Sequence, residues 1–248
     1  MRDITYPPII MAAYGSFRAF NIHFSLTGGE HVPRSGGAVL ASNHVSYLDF
    51  IFCGYAARPS KRLVRFMAKK ATFDNKLSGP LMRSMHHIPV DRAAGADSLE
   101  HAIDWLRRGE VVGVFPEATI SQSFEVKDFK TGAVRMAATA AVPVVPMITF
   151  GGQRLWTKGR KREMTRGTLV SLRVGEPFMV AADDDPVEAT AHLRSVMQEL
   201  WEQTLEEYEP KPEPGAWWWP ARLGGDAPTL DEMRQREAEE RARREGRD

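Results

Sequence analysis

The sequence predicts a single α/β domain with a mixed, largely parallel sheet flanked by helices. Three observations lead there. Short β-rich apolar runs alternate with helical stretches of about ten to fifteen residues, the pattern of strands joined by crossover helices. The chain has 248 residues, 43% of them hydrophobic and 26% charged, enough for one real core and too apolar for wholesale disorder. No internal repeat is visible, in keeping with one domain.

In chain order, residues 7–26 are mostly apolar and aromatic, interrupted by Arg18, Asn21 and His23. Pro8 suits a helix start, and Ile10, Tyr14, Phe17 and the phenylalanines at 20 and 24 recur near helical spacing. Two placements stay open for this amphipathic segment (1–30): packed on the domain core, or lying in a membrane interface. Arg2 followed by Asp3, with no small-residue cleavage site, argues against a signal peptide, and no apolar run reaches 18 residues. The domain proper, 31–210, reads as strand 38–41, helix 47–57, strand 63–68, a broken helical region to 85, and strand 88–90. Helix 97–108 ends at Gly109, and strand 111–115 ends at Pro116. Helix 132–141, strand 144–150, strand 168–174 and a long acidic helix 186–208 complete it. Residues 211–248 form a Pro-spaced linker, the triplet Trp217–Trp218–Trp219, and a charged tail read as a solvated helix or frayed end. The tryptophans fit either an interfacial anchor or a lid on the domain.

Composition excludes some chemistries. The single cysteine, Cys53, rules out an internal disulfide and any zinc site needing several thiolates. His86 and His87 are adjacent, so their side chains diverge, and no second ligand pair is suitably spaced; no metal is expected. A net charge of +1 opposes a strongly basic nucleic-acid binder, but the charge is unevenly spread. Residues 58–92 carry +7 and 127–173 carry +8, while 183–213 hold ten acids and two bases. The basic blocks either converge on an anionic ligand or surface, or remain separate solvated loops, the run 158–162 among them.

Two polar segments lie just beyond predicted strands, where α/β sheets place ligands. The first is Ser42-Asn43-His44-Val45-Ser46-Tyr47-Leu48-Asp49. A histidine in that turn can accept a proton near neutral pH, and an aspartate five residues on can fix its tautomer and stabilise the imidazolium. The competing reading is a Ser46/Asp49 capping box with His44 an ordinary loop residue. The second segment, Phe115-Pro116-Glu117-Ala118-Thr119-Ile120-Ser121, offers Glu117 and Thr119 as site candidates, or is a turn with a surface acid.

Together these residues resemble the glycerophospholipid acyltransferases of the PlsC type (1-acylglycerol-3-phosphate acyltransferase-like). Four blocks match in order over roughly residues 35–150. His44 and Asp49 fit N-H-x-x-x-x-D; Lys69, Gly79 and Arg92 fit the second block; 115–121 fit F-P-E-G-T-R-S; and Val142-Pro143-Val144-Val145-Pro146 fit the fourth. Ala118 stands in place of the family glycine, and Ile120 in place of an arginine thought to hold the acceptor's phosphate. The altered block and the WWWPARLGG tail resemble an actinobacterial subgroup.

The resemblance implies a general base, His44, partnered by Asp49, and no protein nucleophile, which leaves Cys53 to the core. Substrate contacts would fall to Asn43, Ser46, Lys69, Arg92, Glu117, Thr119, Ser121 and Lys130. With Ile120 at the arginine position, Arg92, Lys69 or the Lys127/Lys130 pair is left to supply positive charge, Lys130 lying at a helix N-terminus that favours anions. The donor would be an acyl-CoA or an acyl-ACP thioester, the carrier protein then being a partner, and no cofactor is implied. The acceptor would be lysophosphatidic acid, with another lysophospholipid or a glycolipid as the alternative. The protein would sit peripherally on the cytoplasmic face of the cell membrane and bind no nucleic acid. An inert lipid-binding module is the remaining alternative.

Overall fold

A computed structural model describes residues 3–76, 78–90 and 95–245. Seven strands form one sheet: β1 (His23–Thr27), β2 (Ala38–Ser42), β3 (Val64–Lys69), β4 (Ile88–Val90), β5 (Val111–Val114), β6 (Val144–Phe150) and β7 (Leu169–Val174). Their spatial order is β1-β7-β6-β2-β5-β3-β4, with every neighbouring pair parallel except β6 and β7. The expected mixed, largely parallel sheet is therefore present.

Strand β2 lies between β5 and β6, its Val39 opposite Val112 and Val144. All five of its residues are buried, as in a strand covered on both faces. Alternate residues serve different cores. Val39 and Ala41 pack with α5 (Gly95–Arg107), α6 (Gly132–Ala140) and α7 (Pro186–Glu206). Ala38 and Leu40 pack on the opposite face with α1 (Tyr6–Ala19) and α2 (Asp49–Ala56). The sheet is thus the middle of three layers.

The N-terminal segment departs from a single helix over 7–26. α1 ends at Ala19, Asn21 adopts φ 51°, and the chain continues as β1 along the sheet edge. Asn tolerates the left-handed region better than most residues and so allows the reversal. The alternation of β1, with Phe24 and Leu26 facing inward, is hidden in the sequence by neighbouring aromatics that mimic helical spacing. α1 itself packs on the domain. Tyr6 donates a 2.6 Å hydrogen bond to the Val64 carbonyl, and Phe17 lies edge-on to Phe24 and tilted against Phe52. Met11, 69% exposed, and Ile4, 79% exposed, point away.

The broken helical region resolves into α3 (Lys70–Asp74) and α4 (Ser78–Ser84). The C-terminal segment is more ordered than a frayed tail. Trp219 is buried, Trp218 lies under the Arg154 guanidinium and Trp217 under that of Arg160, so the triplet packs on the domain. Helix α8 (Leu230–Glu245) starts with a reciprocal capping box: Thr229 N–H donates to Glu232, and Glu232 N–H to the Thr229 hydroxyl. Among the described residues no helix is long and apolar enough to cross a membrane.

Truncating Phe17 to Ala removes a buried ring from between α1, β1 and α2. The expected loss is about 3 kcal/mol of unfolding free energy, read by denaturant titration; a loss below about 0.5 kcal/mol would show that α1 packs only loosely.

Candidate active site

The carboxyl ends of β2, β3, β5 and β6 share one edge of the sheet because these strands run parallel. The turn after β2 carries His44, and α2 begins at Asp49. Asp49 is fully buried. Its Oδ2 accepts 2.7 Å hydrogen bonds from the backbone N–H groups of Val45 and Ser46, and its Oδ1 accepts one from the Thr149 hydroxyl at 3.0 Å. A carboxylate so placed can only accept, so the 2.9 Å contact between His44 Nδ1 and Oδ2 puts the imidazole proton on Nδ1. That leaves Nε2 as a proton acceptor. The His44 side chain keeps 20% exposure and stacks on Phe115, with centroids 4.2 Å apart.

The capping and pairing readings of Asp49 turn out to be compatible. The bond from Ser46 N–H is one arm of a capping box, while the same oxygen holds His44. Ser46 Oγ turns elsewhere, donating to the Trp156 carbonyl and accepting from Leu48 N–H. Thr157 donates to the Val45 carbonyl, so the loop after β6 grips this turn along its length. Gly151, at φ 97°, starts that loop; a Cβ there would lie 2.1 Å from the Leu169 carbonyl oxygen, so only glycine fits.

Asn43 is buried, exchanging hydrogen bonds with the Thr149 backbone through both ends of its amide. Ser121 is buried as well: its N–H donates to the His44 carbonyl and its Oγ to the Glu125 carbonyl. Asn43, Ser46 and Ser121 therefore spend their polar atoms inside the protein. Lys69, at the end of β3, and Lys130, just before α6, are exposed on the same side as His44. Gly79 of the second block lets α4 approach Phe73, whose carbonyl oxygen would lie 2.0 Å from a Cβ. Arg92 lies outside the described residues.

In the third block Ala118 adopts φ 60°, which accounts for a glycine at that position in the resembling pattern. Ile120 is 6% exposed and turns inward, so no cation occupies its position. Glu117 is buried, and neither carboxyl oxygen makes a hydrogen bond. Burial pushes its pKa well above the usual carboxylate range, and the nearby Lys127 charge only partly opposes this. Thr119 Oγ1 donates to Glu237 of α8 at 2.8 Å, and Lys127 Nζ reaches the same carboxylate oxygen at 2.7 Å. Sequence reading missed Thr149, hidden in an apolar strand, and Glu237, hidden in the tail. Cys53 is buried in the core between α1, α2 and the sheet, and burial pushes its thiol pKa up.

Residues 23–149 match the family model described as Acyltransferase. The chain is 33% identical over 208 residues to the 1-acyl-sn-glycerol-3-phosphate acyltransferase of Bacillus subtilis (strain 168), covering 78% of this chain and 94% of that protein. It is 27% identical to the protein of the same name from Streptococcus pneumoniae (strain ATCC BAA-255 / R6), covering 82% and 74%. It also resembles the crystal structure of the 1-acyl-sn-glycerophosphate (LPA) acyltransferase PlsC from Thermotoga maritima, with a TM-score of 0.64, 25% identity, and coverage of 79% and 78%.

The buried Glu117 has a pH signature. Its folded-state pKa lies above the unfolded value of about 4.5, so it opposes folding increasingly as pH rises from 4.5 through the folded pKa. Glu117→Gln is expected to raise the melting temperature at pH 7.5, with the gain shrinking as pH falls toward 4.5. A pH-independent difference in thermal unfolding would refute this account.

Proposed function

The chain belongs to the acyltransferase family, PlsC type, and on that premise we propose that it moves a fatty acyl chain from an acyl-CoA or acyl-ACP thioester to the free hydroxyl of a lysophosphatidic acid. That it is an acyltransferase enzyme follows from the family; the donor, the acceptor and the residue roles are the proposal. The observation that carries it is the His44–Asp49 hydrogen bond, anchored by a carboxylate that is wholly buried.

His44 Nε2 takes the proton of the acceptor hydroxyl as its oxygen attacks the thioester carbonyl carbon. The tetrahedral intermediate collapses with cleavage of the C–S bond, and the leaving thiolate recovers the proton from the imidazolium. Asp49 keeps the ring in the required tautomer and stabilises its charged form. Thr149, Asn43 and Ser46 act through Asp49 and the turn, as positioning residues. Phe115 holds the ring from one face. Lys69 and Lys130, with Arg92 of the family block, supply positive charge for phosphate groups on the substrates. Acyl-CoA or acyl-ACP enters as a substrate, and the chemistry requires no cofactor.

Peripheral association with the cytoplasmic face of a membrane is part of the same proposal. Tyr47 and Phe50, 42% and 41% exposed, flank the reactive turn, and Lys69, Lys70 and Lys76 are exposed at and beyond the carboxyl end of β3. Aromatic and basic side chains in combination suit an anionic lipid surface. A second acceptor class, lysophospholipids or glycolipids without a free phosphomonoester, is favoured by the inward-facing Ile120.

Acyl transfer measured over a matrix of donors and acceptors tests the reaction. His44→Ala is expected to lower kcat/KM by about 10³-fold or more with little change in melting temperature. Equal activity of wild type and variant on every pair would sink the assignment. Anionic vesicles should co-sediment the protein at low salt and release it at high salt; no pelleting at either would remove the membrane from the proposal.

A further inference from the structure

Lys127 is 7% exposed, unusual for a lysine. Its ammonium contacts Thr119 Oγ1 and Glu237 Oε1, and Thr119 Oγ1 donates to that same Glu237 oxygen. A buried cation and a hydroxyl thus converge on one anionic oxygen supplied by α8. This cradle adjoins the reactive turn: Thr119 lies two residues before Ser121, whose N–H holds the His44 carbonyl, and Lys127 is the charge closest in effect to Glu117. One turn further along α8, Glu240 occupies Lys158 at 2.8 Å. Beside that pair, a cavity of about 340 Å³ is lined by Gln122, Lys158, Arg160, Trp217 and Arg236.

We propose that the Glu237 carboxylate is an internal occupant of an anion site made by Lys127 Nζ and Thr119 Oγ1, and that a phosphomonoester on the substrate takes the site by displacing α8. The inference rests on the function proposed above and names how this chain receives its acceptor's phosphate. The fit is chemical. A phosphomonoester offers more charge and more acceptor oxygens than one carboxylate, and Lys127 stripped of Glu237 would be a buried, uncompensated cation. Burial works against charge on Glu237, but the hydrogen bonds from Lys127 and Thr119 hold its pKa below the usual range, so the occupant is an anion. Displacement is cheap in apolar terms, since Met233 is the one fully buried apolar side chain α8 contributes among the described residues. The helix also carries its own capping box, so it can leave without losing its first turn.

Two measurements on the full chain decide it. In the first, Glu237→Gln is compared with wild type on 1-acylglycerol 3-phosphate and on monoacylglycerol. The expected result is a KM about tenfold lower for the phosphomonoester, kcat within about twofold, and no change for monoacylglycerol. Unchanged KM on both, or equal loss on both, overturns the proposal. In the second, amide exchange across residues 230–240 of wild type is followed with glycerol 3-phosphate alone and with CoA alone. Faster exchange with glycerol 3-phosphate supports the acceptor's phosphate as the displacing group; faster exchange with CoA only, or with neither, overturns it. This second readout needs no turnover, so failure of acyl transfer would count against the proposed reaction and leave the anion site separately decided.

Discussion

The turn after β2 depends on one buried carboxylate. Asp49, at zero exposure, gathers two backbone N–H groups, an imidazole and a threonine hydroxyl onto its two oxygens. A buried carboxylate is costly unless its lone pairs are filled, and here four donors fill them. The same bonds that make the charge tolerable close the turn after β2 and aim the histidine. Removing any donor therefore disturbs electrostatics and geometry together. The central position of β2 gives this arrangement its rigidity, because β5 and β6 hold the strand from both sides.

Charge outside the site follows a different rule. Three bases of the second basic block are answered by acids from the C-terminal third: Lys127 by Glu237, Lys158 by Glu240, and Arg173 by Glu207. In the first block, Arg65 is buried between Asp3 and Glu110. Lys69 and Lys130 are exposed at the carboxyl edge.

Much of the fold was legible because its signals are local. β4 and β6 occupy the residues their apolar runs indicate, and His44 meets Asp49 across a separation short enough for one turn. β1 was not legible, since a single Asn21 reversal converts an aromatic run from helix to edge strand. Thr149 looked like filler in VVPMITF, and only the pairing of β6 with β2 brings its hydroxyl to Asp49. The docking of α8 was invisible for a related reason: Thr119 and Glu237 are 118 residues apart, and no local pattern encodes a contact of that range. The Thr229–Glu232 box was readable, however, and marks the start of the helix that makes it.

The clasp around the turn after β2 also constrains the order of events during synthesis. Asn43 is held by Thr149, Ser46 by the Trp156 carbonyl, and the Val45 carbonyl by Thr157, each more than a hundred residues later. A nascent chain that has exposed His44 and Asp49 but not yet β6 lacks the Thr149 hydroxyl and the loop that seats the turn. Such contacts carry a large loop-closure cost and form late. The geometry of the turn is therefore a property of the finished sheet, acquired when β6 docks beside β2, and a half-made chain carries His44 and Asp49 without it.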